Sequence, residues 1–253
     1  MAKKGSRKKK SETASKRSTR SAKERPKEQN GLVEWAKALA GALVLFLFIR
    51  TFILQTFVIT SGSMEETLLV GDFLVVNRLS LGARIPGTQK LLPGYSEPRR
   101  GDVIVFDPHH VEDLTLVKRL IGLPGDTLEM RDAVLFLNGE AQDEPYVRHE
   151  SPDTDRYDPW MAWQVDEVLD SVDRSSYSPT RDTWGPLAVP DGEYFLMGDN
   201  RDSSLDSRYW GPLARWRMEG RAVLLYFSYD GESRKPFPWI RAMRPGRIFT
   251  LIR

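Results

Sequence analysis

Val103-Ile104-Val105-Phe106, then Leu114-Thr115-Leu116-Val117-Lys118-Arg119-Leu120-Ile121, then Ala133-Val134-Leu135-Phe136-Leu137 closed by Asn138-Gly139, decide the fold. Each run is short, apolar or β-branched and bounded by turn residues, which is the pattern of strands. Asn-Gly after an apolar run marks a two-residue hairpin, because both residues tolerate φ > 0. Working outward, Phe73-Leu74-Val75-Val76 and Val223-Leu224-Leu225-Tyr226-Phe227 repeat the pattern, and Pro86-Gly87, Pro93-Gly94 and Pro124-Gly125 punctuate it. Many short strands without a βαβ rhythm predict a mainly β chain, an antiparallel barrel or sandwich. Residues 140–183 are acidic, rich in Pro, Ser and Asp, and lack strand alternation. They read as part of an insertion, about residues 131–193, forming a smaller subdomain, with one short helix within Trp160–Leu169.

Before these strands lies a different kind of sequence. Residues 1–30 carry 12 Lys and Arg against 3 Glu, a net of +9, so the overall +2 leaves 25 against 32, a net of −7, for the rest. So polar a segment cannot bury enough apolar surface to fold and is expected to be disordered. From Trp35 to Ile59 the only charges are Lys37 and Arg50. About 20 apolar residues cross a bilayer, so residues 31–55 read as a transmembrane anchor, with Trp35 and Arg50 at the two interfaces. Positive residues before an apolar span hold their side in the cytoplasm. That places the tail inside and residues 56–253 outside, as one extracytoplasmic domain. Nucleic acid is the weaker reading of the basic run. A cleavable leader is disfavoured by the long charged segment and by an apolar run that continues to Phe57.

The chain has no cysteine, which removes disulfides, thiolate nucleophiles and Cys-based zinc sites. Neither a metal nor a cofactor is expected: the Asp-rich segment 199–206 lacks the spacing, central Gly and closing Glu of a calcium loop. Its three histidines, His109, His110 and His149, lie in polar loop-like stretches and read as solvated. Lysine is the alternative base for a serine nucleophile, although the run that holds Lys118 reads, by itself, more readily as an edge strand with both charges facing water. Lys118 lies in a strand-like run where alternation places either Lys118 or Arg119 inward, not both. An inward lysine is desolvated, which favours its neutral form.

Three boxes carry the chemistry: Ser61-Gly62-Ser63-Met64, Val117-Lys118-Arg119, and Gly198-Asp199-Asn200-Arg201-Asp202-Ser203-Ser204-Leu205-Asp206-Ser207-Arg208. Around them stand Arg50-Thr51-Phe52, Thr67-Leu68, Gly71-Asp72, Arg100-Gly101-Asp102-Val103, Gly122-Leu123-Pro124-Gly125-Asp126 and Tyr209-Trp210-Gly211. In this order, over most of residues 45–250, the set resembles the bacterial type I signal peptidases. The resemblance implies an antiparallel β catalytic core with an inserted smaller β subdomain, preceded by one transmembrane helix. It also implies a single-pass protein of the bacterial inner membrane that cuts signal peptides from preproteins emerging from the bilayer. Ser63 would be the nucleophile and Lys118 the general base. Ser61 Oγ and the Ser63 N–H would form the oxyanion hole, and Ser204 would orient the lysine. Asp199, Asp206, Arg208 and Arg119 would form a supporting charge network, and Phe57, Ile59, Met64, Leu68 and Val117 would line small substrate pockets.

Two positions depart from the pattern. Thr60 and Glu66 stand where the family commonly has proline. A carboxylate facing Lys118 would favour its charged form, so Glu66 is expected to point to solvent. Two rivals remain. A self-cleaving regulator would need an exposed internal Ala-Gly or Cys-Gly bond, and Ala40-Gly41 lies in the span. An inactive membrane-anchored binding module would be expected to lack the serine or the lysine.

Overall fold

The computed structural model describes residues 31–111, 114–150 and 155–253, so the basic tail expected to be disordered lies outside the described residues. Contacts divide the chain into two compact units, residues 1–43 and 44–253. Helix α1, Gly31–Phe52, begins in the first and ends in the second. Its residues from Gly31 to Arg50 are all exposed, none is buried, and it is apolar on every side. A helix resting on a protein core shows one apolar stripe. At 1.5 Å per residue, 22 residues make about 33 Å, long and apolar enough to cross a membrane.

The second unit is built on antiparallel strands. β1 (Leu54–Val58), β2 (Asp72–Asn77), β3 (Val103–Phe106), β4 (Leu116–Gly122), β5 (Thr127–Arg131), β6 (Val134–Leu137), β7 (Glu140–Ala141), β8 (Trp184–Ala188), β9 (Glu193–Met197), β10 (Leu213–Ala214), β11 (Met218–Ser228) and β12 (Thr250–Leu251) follow in chain order. The larger sheet runs β1-β2-β11-β3-β4-β9-β10, with β12 on β11; the smaller runs β7-β6-β5-β8. The hairpin from β6 to β7 turns at Asn138 (φ 53°) and Gly139 (φ 85°), as the Asn-Gly pair predicts.

The smaller sheet begins at Thr127, four residues before the expected boundary at 131. The described residues of the link within it, 142–150 and 155–183, are mostly irregular, with the short helix at Gln164–Glu167 inside the expected span. This link folds because it covers apolar surface: Met161 and Val168 pack with Leu128, Met130, Leu135 and Trp184.

Two edges matter for the site. Among the described residues strand β1 pairs only with β2, from Leu54↔Asn77 to Val58↔Phe73, which leaves its outer edge open to them. Strand β4 pairs with β3 from Leu116, but its pairing with β9 starts only at Arg119↔Met197. One side of Leu116–Lys118 is therefore also unpaired. Phe57 and Val117 pack on one cluster with Ile59, Met64 and Leu68, so the two open edges lie around a common apolar floor.

Candidate active site

Strand β1 ends at Val58, and a tight turn follows: Glu65 N–H donates to Gly62 O (3.0 Å) and Leu68 N–H to Met64 O (2.7 Å). This turn buries Ser63 and Met64 while leaving Ser61 exposed. Lys118, held on β4 opposite Ile104, reaches it, with Nζ 2.5 Å from Ser63 Oγ. Ser63 is 8% exposed and Lys118 2%. Burial pushes the Lys118 amine down to about 8; Asp206 and Asp199 oppose that fall and Arg208 assists it. A neutral amine at this distance can accept the serine proton near ordinary working pH.

Arg119 is as buried as Lys118, so the expectation that only one of them faces inward is corrected. Alternation sends the two side chains to opposite faces of β4, but both faces are covered. Leu116 and Leu120 pack in one core cluster, and Val117 in another. Arg119 donates Nε and an Nη to the two oxygens of Asp199 (2.8 and 2.7 Å) and an Nη to Gly101 O (2.8 Å). Its guanidinium lies 4.0 Å from the centre of the Tyr146 ring. Thr67 Oγ1 donates to Asp199 (2.5 Å), tying this pair to the turn that carries Ser63.

A second ion pair lies below. Asp206 caps the short helix α4, which is numbered after α2 (Arg78–Leu81) and α3 (Gln164–Glu167) and spans Ser207–Trp210. It also receives two bonds from Arg208 (2.8 and 2.9 Å) and one from Gly198 N–H (3.0 Å). Burial works against the Asp206 charge, but Arg208 and these donors hold its carboxyl below the usual range. The four expected network residues thus form two buried ion pairs around the dyad, Arg119–Asp199 and Arg208–Asp206.

Ser204 is placed differently from expectation. It is buried, but no hydrogen bond joins it to Lys118, and its Oγ has no well-formed partner among the described residues. Its hydroxyl instead helps to hold Asp206 ionised and packs against Gly198. Ser61, exposed at the turn, has a hydroxyl without a partner among the described residues, free to donate to a substrate. Phe57, Ile59, Met64, Leu68 and Val117 share one apolar cluster beside Ser63. Glu66 points away as expected, 58% exposed and 3.9 Å from Arg148.

None of the histidines bonds to Ser63. His109 and His110 pack on Trp210, and His149 lies 3.0 Å from Asp202.

Three residues were not assigned a part from sequence. Asn200, inside the third box, donates its N–H to Ser63 O and its Nδ2 to Gly62 O (3.2 Å each), pinning the backbone at Ser63. Its place in the Gly-Asp-Asn run was the only signal. Arg148 and Tyr146 come from the irregular link. Arg148 N–H donates to Asp199 O (2.8 Å) and its guanidinium to Glu65 (2.8 Å). Replacing Asn200 with Ala is expected to lower kcat on the order of tenfold to a hundredfold, because small displacements of a reacting atom are costly. The fold should survive, because the backbone bond to Ser63 O remains and only the side-chain bond to Gly62 O, worth about 1 kcal/mol, is lost. Unchanged kcat in a folded Asn200→Ala protein would show that this side-chain bond does not position Ser63.

A buried serine in a tight turn and a buried lysine on a strand, within hydrogen-bond reach, are parts from which a serine hydrolase can be built. The chain belongs to the signal peptidase family, peptidase S26, which matches residues 32–227. It is 40% identical to signal peptidase I of Pseudomonas fluorescens over 184 residues, 71% of this chain and 63% of that protein, so it spans less than two thirds of that relative's length. It is 34% identical to signal peptidase I of Bacillus licheniformis, covering 80% of this chain and 92% of that one. The crystal structure of a signal peptidase I from Enterococcus faecalis matches half of this chain and 97% of its own at 35% identity, with a TM-score of 0.34.

Proposed function

We propose that this protein is a membrane-anchored serine endopeptidase that removes amino-terminal signal peptides from exported preproteins through a Ser63/Lys118 dyad. The observation that carries this reading is the 2.5 Å contact between a buried lysine amine and a buried serine hydroxyl. Membership of the signal peptidase family supports the substrate class.

In the proposed reaction, neutral Lys118 takes the Ser63 proton as Oγ attacks the carbonyl carbon of the scissile peptide. The Ser63 N–H and Ser61 Oγ donate to the oxyanion, an arrangement worth several kcal/mol in such sites. Lys118 then gives the proton to the leaving amine. The acyl-enzyme on Ser63 is hydrolysed by a water that Lys118 deprotonates in turn.

The substrate would lie as an added strand between the outer edge of β1 and the unpaired side of Leu116–Lys118, where main-chain bonds hold an extended peptide. Phe57, Ile59, Met64, Leu68 and Val117 beneath it would receive small side chains before the cut. Helix α1 would anchor the protein with the basic tail in the cytoplasm and the site outside, since a +9 segment resists translocation.

The test uses full-length protein in detergent with a preprotein. Cleavage should yield one cut after the signal peptide, and the rate should rise as pH passes about 8, where Lys118 loses its proton. A variant with His109, His110 and His149 all replaced by Gln should keep both rate and profile. A folded but inactive triple variant would overturn the dyad.

A further inference from the structure

A second polar cleft lies apart from the dyad, with a volume of about 870 Å³. Its wall includes Leu47, Arg50 and Thr51 from the last turns of α1, Gln55 of β1, and Arg78 and Arg84. Three features point to an anion. First, Arg50 has no hydrogen-bond or ion-pair partner among the described residues, although every other arginine at the cleft has one. Second, Arg78 also lines the cleft, its side chain 11% exposed although it pairs with Glu219 and Gln55. Third, Arg84 places one nitrogen on both Asp107 (2.6 Å) and Glu219 (2.9 Å), so its fork is only partly engaged. Three arginines face two carboxylates, which leaves one positive charge for a ligand.

The position of the cleft narrows the choice of anion. If α1 crosses the bilayer as proposed above, Arg50 and Thr51 stand at its outer interface, where lipid headgroups are the abundant anions. We propose that this cleft binds the phosphate of an anionic phospholipid headgroup, with the Arg50 guanidinium as its main donor and Arg78 and Arg84 behind it. Arginine suits the task because its fork matches phosphate geometry. Leu47 beside Arg50 would meet the start of the acyl chains. Because Gln55 and Phe57 of β1 also line the cleft, an occupied cleft would hold the open edge of β1 at the membrane surface, where a signal peptide leaves the lipid.

The test compares wild type with Arg50→Gln and Arg50→Lys, reconstituted at full length in phosphatidylcholine vesicles with and without phosphatidylglycerol. Phosphatidylglycerol should lower the wild-type KM for a preprotein about fivefold and raise the melting temperature of an inactive Ser63→Ala form. The size expected is that of one arginine at an anionic surface. Arg50→Gln should lose both effects, and Arg50→Lys should recover only part of them.

Full recovery by lysine, or an equal response to vesicles carrying a fatty-acid carboxylate at matched charge, would reduce the effect to surface charge and overturn the site. A response to inorganic phosphate in phosphatidylcholine alone would assign the cleft to the free ion instead of a lipid. If Arg50→Gln raises KM equally in both vesicle types, the cleft belongs to the substrate and the lipid site is refuted. Loss of preprotein cleavage under every condition would instead refute the proposed function.

Discussion

Replacing Ser63 with Ala, or Lys118 with Met, is expected to stop preprotein cleavage, each lowering kcat at least on the order of 10⁴-fold. The two atoms act as one unit across 2.5 Å, so loss of either partner removes nearly the whole chemical step. Folding should survive both changes. Methionine fills much of the lysine's volume without a buried amine, and an apolar group of similar shape avoids the desolvation cost of a charge. The pH dependence of stability supplies a check that activity cannot. The folded-state lysine titrates at about 8 and the unfolded one at 10.5. Between those values the unfolded chain binds more protons, so wild-type stability should rise with pH through that window. Lys118→Met should lack this rise. Residual cleavage above a trace in either variant, with the fold intact, would sink the assignment of the dyad.

The second large effect is expected from one methyl group. A Cβ built on Gly198 would lie 2.2 Å from Ser204 Oγ, 2.5 Å from Ser204 Cβ and 2.5 Å from the carbonyl oxygen of Ser63. None of these groups can retreat easily: Ser204 is buried, and Ser63 O accepts a hydrogen bond from Asn200. Gly198→Ala must therefore push the nucleophile's own backbone aside. Overpacking of this kind costs about 1–3 kcal/mol, and a shift near 1 Å in a reacting group costs about a hundredfold in rate. A melting curve and a kcat measurement together should show both losses. Gly246, whose added Cβ would meet nothing within 4 Å, is the control and should tolerate Ala. Normal kcat in Gly198→Ala would mean that Ser63 tolerates displacement and that the dyad needs no tight wall.

What was legible in the sequence was what local patterns encode. The strands at 103–106 and 116–122, the Asn138-Gly139 turn and the apolar helix follow from periodicity and turn chemistry. The boxes around Ser63 and Lys118 carried meaning only together and in order. What escaped was whatever depends on a second layer. Strand alternation predicts one buried face, so it could not foresee Arg119 buried behind Lys118. That burial needs Asp199 and Tyr146, which come from remote segments. Residues 144–150 show no strand pattern because they are held by a single bridge, Arg148 to Asn200, and by side-chain contacts such as Arg201 with Glu144 (2.6 Å), not by an extended ladder. Ser204 shows a different limit. Its box placed it at the site, but whether its hydroxyl meets the lysine or Asp206 is a matter of one rotamer, which no sequence pattern records.

The stitching of the nucleophile turn to distant segments also sets an order of events during biosynthesis. Thr67 waits for Asp199, 132 residues later, and Glu65 for Arg148, 83 residues later. Closing such long loops is slow and comes late in folding. A chain still emerging, with Ser63 and Lys118 made but the Gly198 box not yet made, holds both side chains and no wall to keep them together. A copy truncated before residue 198 is thus expected to lack the contacts that hold Ser63 against Lys118.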